Sequence, residues 1–416
     1  MKNQLIDIGK KSKKAFSHQI NSKKKDKVLK DYYRLIENNK KLIISRNKKD
    51  INNAIKKKIK DNLIKRLTLN EKKIAAIISS IKKIIKLKDP TNIVLEKWKR
   101  PNGLEISKVS IAIGVIGVIY ESRPNVTSDV ASLCFKSGNS VILKGGLEAF
   151  YSNQILSKLF RESLKRNKVD QNFVQFINIK KRSAVDFLLT KMNKFVDVII
   201  PRGGKNLVKK VQTLSNIPTI SHLEGVCHSY VDKDANPKIA KDIIYNAKLR
   251  NTAICGATET ILLHEKIIKK IGVLILKKLE DSGCKIIGDN KIKNLYNGKV
   301  KKASIGDWSK EYLSSIVSVK SVKNLEDAIQ HINKYGTMHT DCIITQNKKA
   351  AKKFLKKVNS SIAMHNTSTQ FADGGEFGFG GEVGISTNTL PPRGPVGLNQ
   401  LVSYKYEISS KGKVRK

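Results

Sequence analysis

The apolar and polar positions divide the chain into two parts of different texture. Up to about residue 90, apolar residues recur with the spacing of α-helices. The clearest run places on one helix face Ile74, Ile77, Ile78, Ile81 and Ile85. Thr68 and Glu71 have the spacing of a capping box ahead of this run, and Asp89-Pro90 predicts its end. We expect these helices to serve packing, with the chemistry elsewhere.

From about residue 104, short apolar runs alternate with helical patterns. Strands are predicted at 107–121, 140–146, 173–178 and 196–204, with amphipathic segments between them. A second series of this kind begins near residue 228. Such alternation predicts parallel sheets with helices on both faces, and it places ligand-binding loops at the carboxyl ends of the strands. The fold class is therefore α/β.

The charge is strongly positive, with 81 Lys+Arg against 35 Asp+Glu and a formal net charge of +46. Such a balance raises the alternative of a basic nucleic-acid-binding protein. The lysines are spread over the whole length, and no stretch interleaves aromatic with basic residues as single-strand binders do. We therefore interpret the charge as a solvated surface that attracts anionic substrates and cofactors, and we expect no nucleic-acid partner.

The cysteines and the apolar runs bear on the compartment. The five cysteines are widely spaced and contain no CxxC pair, which argues against a disulfide framework and a structural zinc site. The longest apolar run, 110–120, is too short to span a bilayer. The N-terminus lacks the apolar core of a signal peptide. The sequence thus predicts a cytoplasmic protein without membrane contact.

Cys255 is the candidate nucleophile. It lies in the segment RNTAICGAT (250–258), among small and polar residues between a predicted helix and a predicted strand. A reactive cysteine needs access and nearby amides that stabilise its thiolate. The other four cysteines lie in apolar helical or strand-like runs, where a buried structural role is the usual one. Context alone leaves Cys255 balanced between the two roles.

Two glycine-containing junctions are candidates for binding a phosphate. Lys144-Gly145-Gly146 ends one predicted strand, and Gly203-Gly204 follow another and open a helix. A strand, glycines and a helix N-terminus form a natural anion cradle, although a plain tight turn explains either junction alone. Lys144 stands where many dinucleotide sites carry an acid for the ribose hydroxyl, so a cation there favours NADP.

The histidines give no clear metal site. His222, Cys227 and His228 could be drawn as a cluster, but their spacing fits no common metal site. We therefore predict structural roles for them and no bound metal. A Ser-His-Asp hydrolase is not supported either, because the GxSxG motif is missing.

These motifs together resemble the aldehyde dehydrogenase superfamily, whose members carry the same order of junctions, loop cysteine and glycine-rich C-terminal segment. Several segments are similar to the branch that reduces gamma-glutamyl phosphate, and YESRPNVT and DGGEFGFG are specific to it. The similar segments are 114–129, 137–146, 201–204, 225–232, 311–320, 328–343, 373–387 and 393–398. The resemblance extends over nearly the whole chain.

The resemblance implies roles for individual residues. Cys255 becomes the expected nucleophile, and Lys144, Gly203, Gly204 and Glu311 the expected cofactor contacts, with Glu311 holding the nicotinamide ribose. Two further residues lie in the segment YESRPN. Asn125 is expected near the reacting carbonyl and Arg123 near the substrate, and either of them is a candidate for stabilising the oxyanion.

The implied activity is the NADPH-dependent reduction of gamma-glutamyl phosphate to glutamate 5-semialdehyde, with release of phosphate, in proline synthesis. The alternative within the same fold is a general aldehyde dehydrogenase that uses water. Such enzymes carry a catalytic glutamate in an ELGGK-like segment, whereas this chain reads HLEGVCHS (222–229). Because the chain contains no kinase domain, we expect a separate glutamate 5-kinase to supply the substrate.

The resemblance also implies an organisation into three parts. A Rossmann-type NADP-binding domain with the N-terminal helices spans 1–227, and 366–385 return to it. A second α/β domain, 228–365, carries the nucleophile. A small β flap formed by 97–112 and 386–410 is expected to join subunits of a homo-oligomer.

Overall fold

The computed structural model describes residues 1–59 and 61–415. The α-helices in chain order are α1 Lys2–Phe16, α2 Ser22–Asn38, α3 Lys40–Lys56, α4 Asp61–Leu67, α5 Glu71–Lys86, α6 Asn125–Lys136, α7 Phe150–Arg166, α8 Ser183–Lys191, α9 Lys205–Leu214, α10 Pro237–Leu249, α11 Val273–Asp281, α12 Asn290–Leu295, α13 Leu325–Tyr335 and α14 Lys348–Lys357. Within these described residues, every helix is too short or too polar to cross a membrane.

The strands complete the α/β architecture that the sequence predicted. They are β1 Val94–Lys99, β2 Glu105–Ala112, β3 Val115–Tyr120, β4 Ser140–Gly145, β5 Val174–Phe176, β6 Val198–Arg202, β7 Cys227–Val231, β8 Thr258–His264, β9 Lys285–Gly288, β10 Val300–Lys302, β11 Ile316–Val322, β12 Thr340–Ile344, β13 Ile362–His365, β14 Gly384–Ser386, β15 Gly394–Val396 and β16 Val402–Ser409.

The chain forms two compact units. The first consists of Met1–Ser221, Gly378–Ile385 and Pro395–Lys416, and the second of His222–Phe377 and Ser386–Gly394. The division by role into cofactor, catalytic and oligomerisation parts stays a prediction.

The first unit is built on a parallel sheet with strand order β5-β4-β3-β6. Alternate residues of its strands face opposite helix layers, as the two-residue period of a strand requires. Ile116 and Val118 pack against α2, α5, α6 and α7, whereas Val115 and Ile119 pack against α1, α8 and α9. Both faces of the sheet are covered, which explains why its strands read as continuous apolar runs.

The predicted strand 107–121 is two strands in different sheets. β2 pairs with β1 and β16 in an antiparallel sheet, while β3 joins the parallel sheet. The break falls at Gly114, whose φ of 144° favours glycine and where an added Cβ would lie 2.0 Å from Asp197 Oδ2. The apolar run continues through the break, so its pattern alone could not reveal it.

The start of α5 also differs from the prediction. The helix is capped by Asn70, whose side chain accepts a hydrogen bond from the amide of Lys73 (2.9 Å). Thr68 instead donates to the carbonyl of Ile64 at the end of α4 (2.8 Å). The predicted Thr68–Glu71 capping box is therefore wrong, because Asn70 lies directly before the first helical residue and caps the helix at the amide of Lys73.

The second unit contains a parallel sheet with strand order β10-β9-β11-β8-β7-β12-β13. Ile261 and Leu263 of β8 face α10, α11 and α12, and Leu262 faces α13 and α14. The central strands β8, β7 and β12 are neighbours. Because these strands are neighbours, the loops that precede them lie close together.

Candidate active site

Cys255 lies in the loop that joins α10 to β8. The amide of Ala257 donates to the carbonyl of Ile254 (3.0 Å), and the amide of Ala253 donates to the side chain of Asn251 (3.1 Å). Cys255 itself is half-buried. The small residues around the cysteine thus form a short turn that keeps its side chain partly accessible.

The loop cysteine meets two histidines at one edge of the sheet. Cys255 shortly precedes β8, His339 directly precedes β12, and His222 lies in the segment before β7. The sulfur of Cys255 and one ring nitrogen of each histidine all lie within 4.8 Å of one another. Because neighbouring parallel strands begin at the same edge, residues more than 80 positions apart in sequence come together.

This edge is the amino edge of the sheet, because in the second unit the reactive group lies in a loop that runs from a helix into a strand. The predicted ligand-binding loops at the carboxyl ends of the strands are the opposite loops, from strand to helix, and concern the first series. The sequence had already placed Cys255 between a helix and a strand.

The two histidines control the charge of the cysteine. Burial by itself raises the pKa of the Cys255 thiol, but the positive charge of His339 and hydrogen bonds with His222 and His339 outweigh burial. Together they hold the pKa of Cys255 well below its ordinary value. The two imidazoles thus favour the thiolate, which is the nucleophilic form of cysteine.

The other four cysteines lack this environment. Burial is the largest cause that raises the pKa of each thiol, well above the ordinary value for Cys134 and Cys227, to about 11 for Cys284 and to about 12 for Cys342. Cys227 is the near neighbour of the candidate nucleophile, and its thiol donates to the carbonyl of Cys255 (3.0 Å). Of the five, only Cys255 has a thiol whose acidity is increased.

Glu311 lies beside the cysteine in the same unit. Its Oε1 accepts a hydrogen bond from the amide of Gly225 (2.9 Å). A Cβ added to Gly225 would lie 2.1 Å from the carbonyl oxygen of Cys255, so only glycine permits this approach. Burial raises the pKa of Glu311, and the charges of Cys255 and Glu224 raise it further. The structure thus brings two residues of the predicted site, Cys255 and Glu311, together.

A buried ion pair connects the segments that carry the candidate site. Lys248 of α10 and Glu259 of β8 are both fully buried and pair with each other. Glu259 also accepts from the amide of Leu313 (3.2 Å), two residues after Glu311. Burial raises the pKa of Glu259 to about 7 although Lys248 opposes the shift. Breaking such a pair is costly, so it holds the cysteine and glutamate segments in register.

The first unit carries the predicted cofactor contacts at the carboxyl edge of its sheet. Lys144 lies near the end of β4, and Gly203 and Gly204 directly follow β6. The strand order corresponds to the 3-2-1-4 half of a dinucleotide-binding sheet, whose crevice opens where the order reverses, here between β3 and β6. The residues present therefore fit a nicotinamide dinucleotide.

A cleft of about 410 Å³ opens at this edge. Its lining includes cations from three segments, namely Lys144, Lys180, Arg182 and Lys210, and the acids Glu121 and Glu148. Burial lowers the pKa of Lys144, and the charge of Glu148 offsets part of that effect. The excess of cations suits a ligand with phosphate groups.

Glu121 occupies the anion position at the start of α9. Its Oε2 accepts a hydrogen bond from the amide of Gly204 (2.9 Å). A Cβ added to Gly203 would lie 2.5 Å from the same oxygen. A helix N-terminus favours negative charge, and here a carboxylate of the chain supplies it. A phosphate that used these amides would have to displace Glu121.

Asn125 and Arg123 lie at the turn from β3 into α6. Asn125 is the exposed first residue of α6, and its amide donates to the carboxylate of Asp129 (3.0 Å). Arg123 is half-buried, next to Ser122, whose φ is 40°. Both belong to the first unit, whereas Cys255 and Glu311 belong to the second. Their role near the reacting carbonyl stays a prediction.

His222 and His339 belong to the candidate site although no pattern in the sequence marked them as functional. His222 was grouped with Cys227 and His228, but the Nδ1 of His228 donates to the carboxylate of buried Asp341 (2.9 Å), as a structural histidine does. A usable signal existed, because both Cys255 and His339 stand just before apolar strands. Using it required the order of those strands in the sheet.

The class of protein follows from the fold and from a family match over most of the chain. A model of the family described as "Aldehyde dehydrogenase family" matches residues 2–282 and 301–401. An engineered glycolyl-CoA reductase with bound NADP⁺ shares the fold, with a TM-score of 0.69 at 14% identity over 98% of this chain and 96% of that chain. The chain belongs to the aldehyde dehydrogenase family.

More similar proteins narrow the class. The gamma-glutamyl phosphate reductase of Bartonella tribocorum is 45% identical over 373 residues, 90% of this chain and 91% of that protein. The crystal structure of gamma-glutamyl phosphate reductase from Thermotoga maritima has a TM-score of 0.96 at 37% identity and covers 99% of this chain and 100% of that chain. Within the family, this chain belongs with the gamma-glutamyl phosphate reductases.

Proposed function

We propose that this chain reduces gamma-glutamyl phosphate to glutamate 5-semialdehyde and phosphate, the second step of proline synthesis, through a thioester on Cys255. The observation that carries the proposal is the position of the Cys255 sulfur, within 4.8 Å of a ring nitrogen of His222 and of His339. These imidazoles lower the pKa of the thiol. The names of its relatives give the substrate class.

The chain's own residues account for the covalent steps. The Cys255 thiolate attacks the carbonyl carbon of the acyl phosphate, and the carbon–oxygen bond to phosphate breaks with its electron pair leaving on phosphate. When bound, the reduced nicotinamide would supply a hydride to the thioester carbon. Collapse of the thiohemiacetal then returns an electron pair to the sulfur, which the two imidazoles again stabilise as thiolate.

We propose Asn125 as the donor that stabilises the oxyanion and Arg123 as the group that binds the substrate. Removing one preorganised oxyanion donor typically costs on the order of 10²–10³ in rate. Unchanged turnover in an Asn125→Ala variant would show that another group stabilises the oxyanion.

NADP is the proposed cofactor. Lys144 lies on the second strand of the dinucleotide-binding half, where the adenosine ribose is recognised, and the cleft adds Lys180 and Arg182. These cations favour a 2′-phosphate over a bare hydroxyl. Gly203 and Gly204 are proposed to face the diphosphate, and Glu311 the nicotinamide ribose.

The proposed setting is cytoplasmic and metabolic. A separate glutamate 5-kinase supplies the labile acyl phosphate, and the chain forms a homo-oligomer. The exposed strand β16, with Tyr404, Tyr406 and Ile408 open to solvent, supports a subunit contact at the antiparallel sheet. We propose no nucleic-acid partner.

The reverse reaction tests the proposal against a general aldehyde dehydrogenase. The purified enzyme is given glutamate 5-semialdehyde with and without inorganic phosphate, and with NADP⁺ or NAD⁺. We expect reduction of NADP⁺ that requires phosphate and yields the acyl phosphate. Cofactor reduction without phosphate, with glutamate as product, would instead establish the hydrolytic alternative.

The covalent step has its own test. Cys255→Ser should abolish turnover and leave NADPH binding unchanged. The matched control Cys284→Ser, which replaces a far less acidic thiol, should keep activity.

The alternative of a basic nucleic-acid-binding protein has a different signature. A wild-type protein without reductase activity that binds DNA or RNA in a salt-sensitive manner would favour this alternative.

A further inference from the structure

The cluster around Cys255 has the composition of a metal site as well as that of an activated nucleophile. It offers one sulfur and two imidazole nitrogens within 4.8 Å of one another. We propose that His222, Cys255 and His339 bind Zn²⁺ and that the bound ion reversibly blocks the nucleophile. This inference goes beyond the proposed function, because reduction does not need the metal.

The donor set fits zinc better than the other common divalent ions. Thiolate and imidazole are the ligands that Zn²⁺ prefers, whereas Mg²⁺ and Ca²⁺ take oxygen. Three protein ligands leave a fourth tetrahedral position open for water. Zinc bonds would bring the donor atoms to about 3.5 Å from one another. His222 lies in a segment without regular structure and is half-buried, so its side chain can supply the remaining movement.

His339 is oriented as a ligating histidine. Its Nδ1 is 2.9 Å from the hydroxyl of Thr340, a contact of the kind that fixes the tautomer of metal-bound histidines. The same Nδ1 lies 3.5 Å from the sulfur of Cys227. The buried Nε2 is then the ring nitrogen available to a cation.

Zinc binds these donors in their deprotonated forms. Cysteine ligates as thiolate and histidine as neutral imidazole, so any protons that the three groups carry are released to solvent when Zn²⁺ binds. Glu311 lies beside the site, where its Oε1 accepts a hydrogen bond from the amide of Gly225 (2.9 Å). No electrons are transferred in this step.

Binding has a direct consequence for reactivity. The electron pair with which Cys255 attacks a carbonyl would be shared with zinc, so acylation stops until the metal is removed. The same coordination would shield the thiolate from alkylating and oxidising reagents. The blocked state is reversible because a chelator can withdraw the ion without breaking a covalent bond.

Direct metal binding tests the inference without relying on activity. Full-length protein, freed of metal by dialysis against a chelator, is titrated with Co²⁺ as a spectroscopic probe and with Zn²⁺ in competition with a chromogenic chelator. We expect one tightly bound equivalent and a sulfur-to-cobalt charge-transfer band that Zn²⁺ abolishes. Zn²⁺ should also protect Cys255 from iodoacetamide, and EDTA should restore the reaction.

The variants separate a site from scattered surface binding. Cys255→Ser should remove the charge-transfer band. His222→Asn and His339→Asn should each weaken Zn²⁺ binding by more than about tenfold, the lower end of what loss of an outer-shell partner costs. His18→Asn, at an exposed histidine, and Cys284→Ser are the controls and should leave binding unchanged.

Three results would overturn the inference: no charge-transfer band, a band that persists in Cys255→Ser, or weak binding that His18→Asn affects as much as His222→Asn. If His339→Asn does not fold, the half-buried His222 still provides the test. A protein that reduces the substrate but binds no Zn²⁺ refutes the inference and leaves the proposed function intact. A protein that binds Zn²⁺ at this site but does not reduce the substrate refutes the proposed function and leaves the inference intact.

Discussion

Cys255 becomes reactive through two side chains rather than through its loop alone. Among the five cysteines, burial raises the pKa of each thiol, and only at Cys255 do histidines reverse the shift. The composition of its loop is equally consistent with a structural role for Cys255. The charge of His339, a residue 84 positions away, is the largest influence that lowers the pKa of the sulfur.

This dependence leads to a prediction for His339→Asn. Loss of His339 removes the largest influence that lowers the pKa of Cys255, so this pKa should rise, although His222 keeps part of the effect. The thiolate fraction near neutral pH then falls. The rate of alkylation by iodoacetamide should drop by roughly tenfold or more, with its acid limb moved to higher pH.

The pH profile of alkylation distinguishes this role from a structural one. A variant that is only less stable would lose the reaction at all pH values, whereas loss of the ion pair predicts recovery at alkaline pH. The control Cys227→Ser removes a neighbouring thiol without removing charge. An unshifted profile in His339→Asn would show that the imidazole does not stabilise the thiolate.

Secondary-structure elements determine how the anion position of the first unit is filled. The amide of Gly204 at the start of α9 already binds the carboxylate of Glu121, at the end of β3. The pattern of strand, glycines and helix that predicts a phosphate cradle is thus present, but an acid that directly follows the neighbouring strand competes for it. Charge at a helix N-terminus contributes about 0.3–1 kcal/mol.

Glu121→Gln should therefore bind NADPH more tightly. The neutral amide holds the Gly204 amide less strongly, so we expect the dissociation constant to fall by about twofold to fivefold, the equivalent of that helix-terminus energy. Fluorescence titration of NADPH measures it. Glu162→Gln on α7 changes the net charge equally and should have little effect. Weaker binding by Glu121→Gln would mean that the carboxylate contacts the cofactor instead of competing with it.

At the scale of the whole molecule, the net charge of +46 bears on how anionic ligands are captured. Long-range attraction raises association rates and is screened by salt. The Debye length falls from about 30 Å at about 0.01 M to about 8 Å at about 0.15 M ionic strength. The electrostatic attraction of a cofactor with several phosphates should therefore weaken over most of the distance across which it approaches the protein.

We therefore expect the association rate of NADPH, followed by stopped-flow fluorescence, to fall several-fold over that range of salt. Its dissociation rate should change less, because contacts within the cleft are screened less than long-range attraction. Alkylation of Cys255 by uncharged iodoacetamide serves as the control and should vary little. A salt-independent association rate would show that the surface charge does not guide the cofactor.

The sequence by itself determined the α/β class, the helical N-terminal region, the loop cysteine and the two glycine junctions. Each depends on neighbours within a few turns or one strand, where periodicity and residue type are informative. It did not reveal the break at Gly114, since both flanking strands are equally apolar.

Only the tertiary structure decided that His222, Cys255 and His339 share one edge, and that Glu121 reaches the start of α9. Both depend on which strands become neighbours: β8, β7 and β12 in one sheet, β3 and β6 in the other. Strand order depends on the simultaneous burial of apolar faces that are distant in sequence. No local pattern in the chain encodes it, whereas the chemistry of the candidate site depends on it directly.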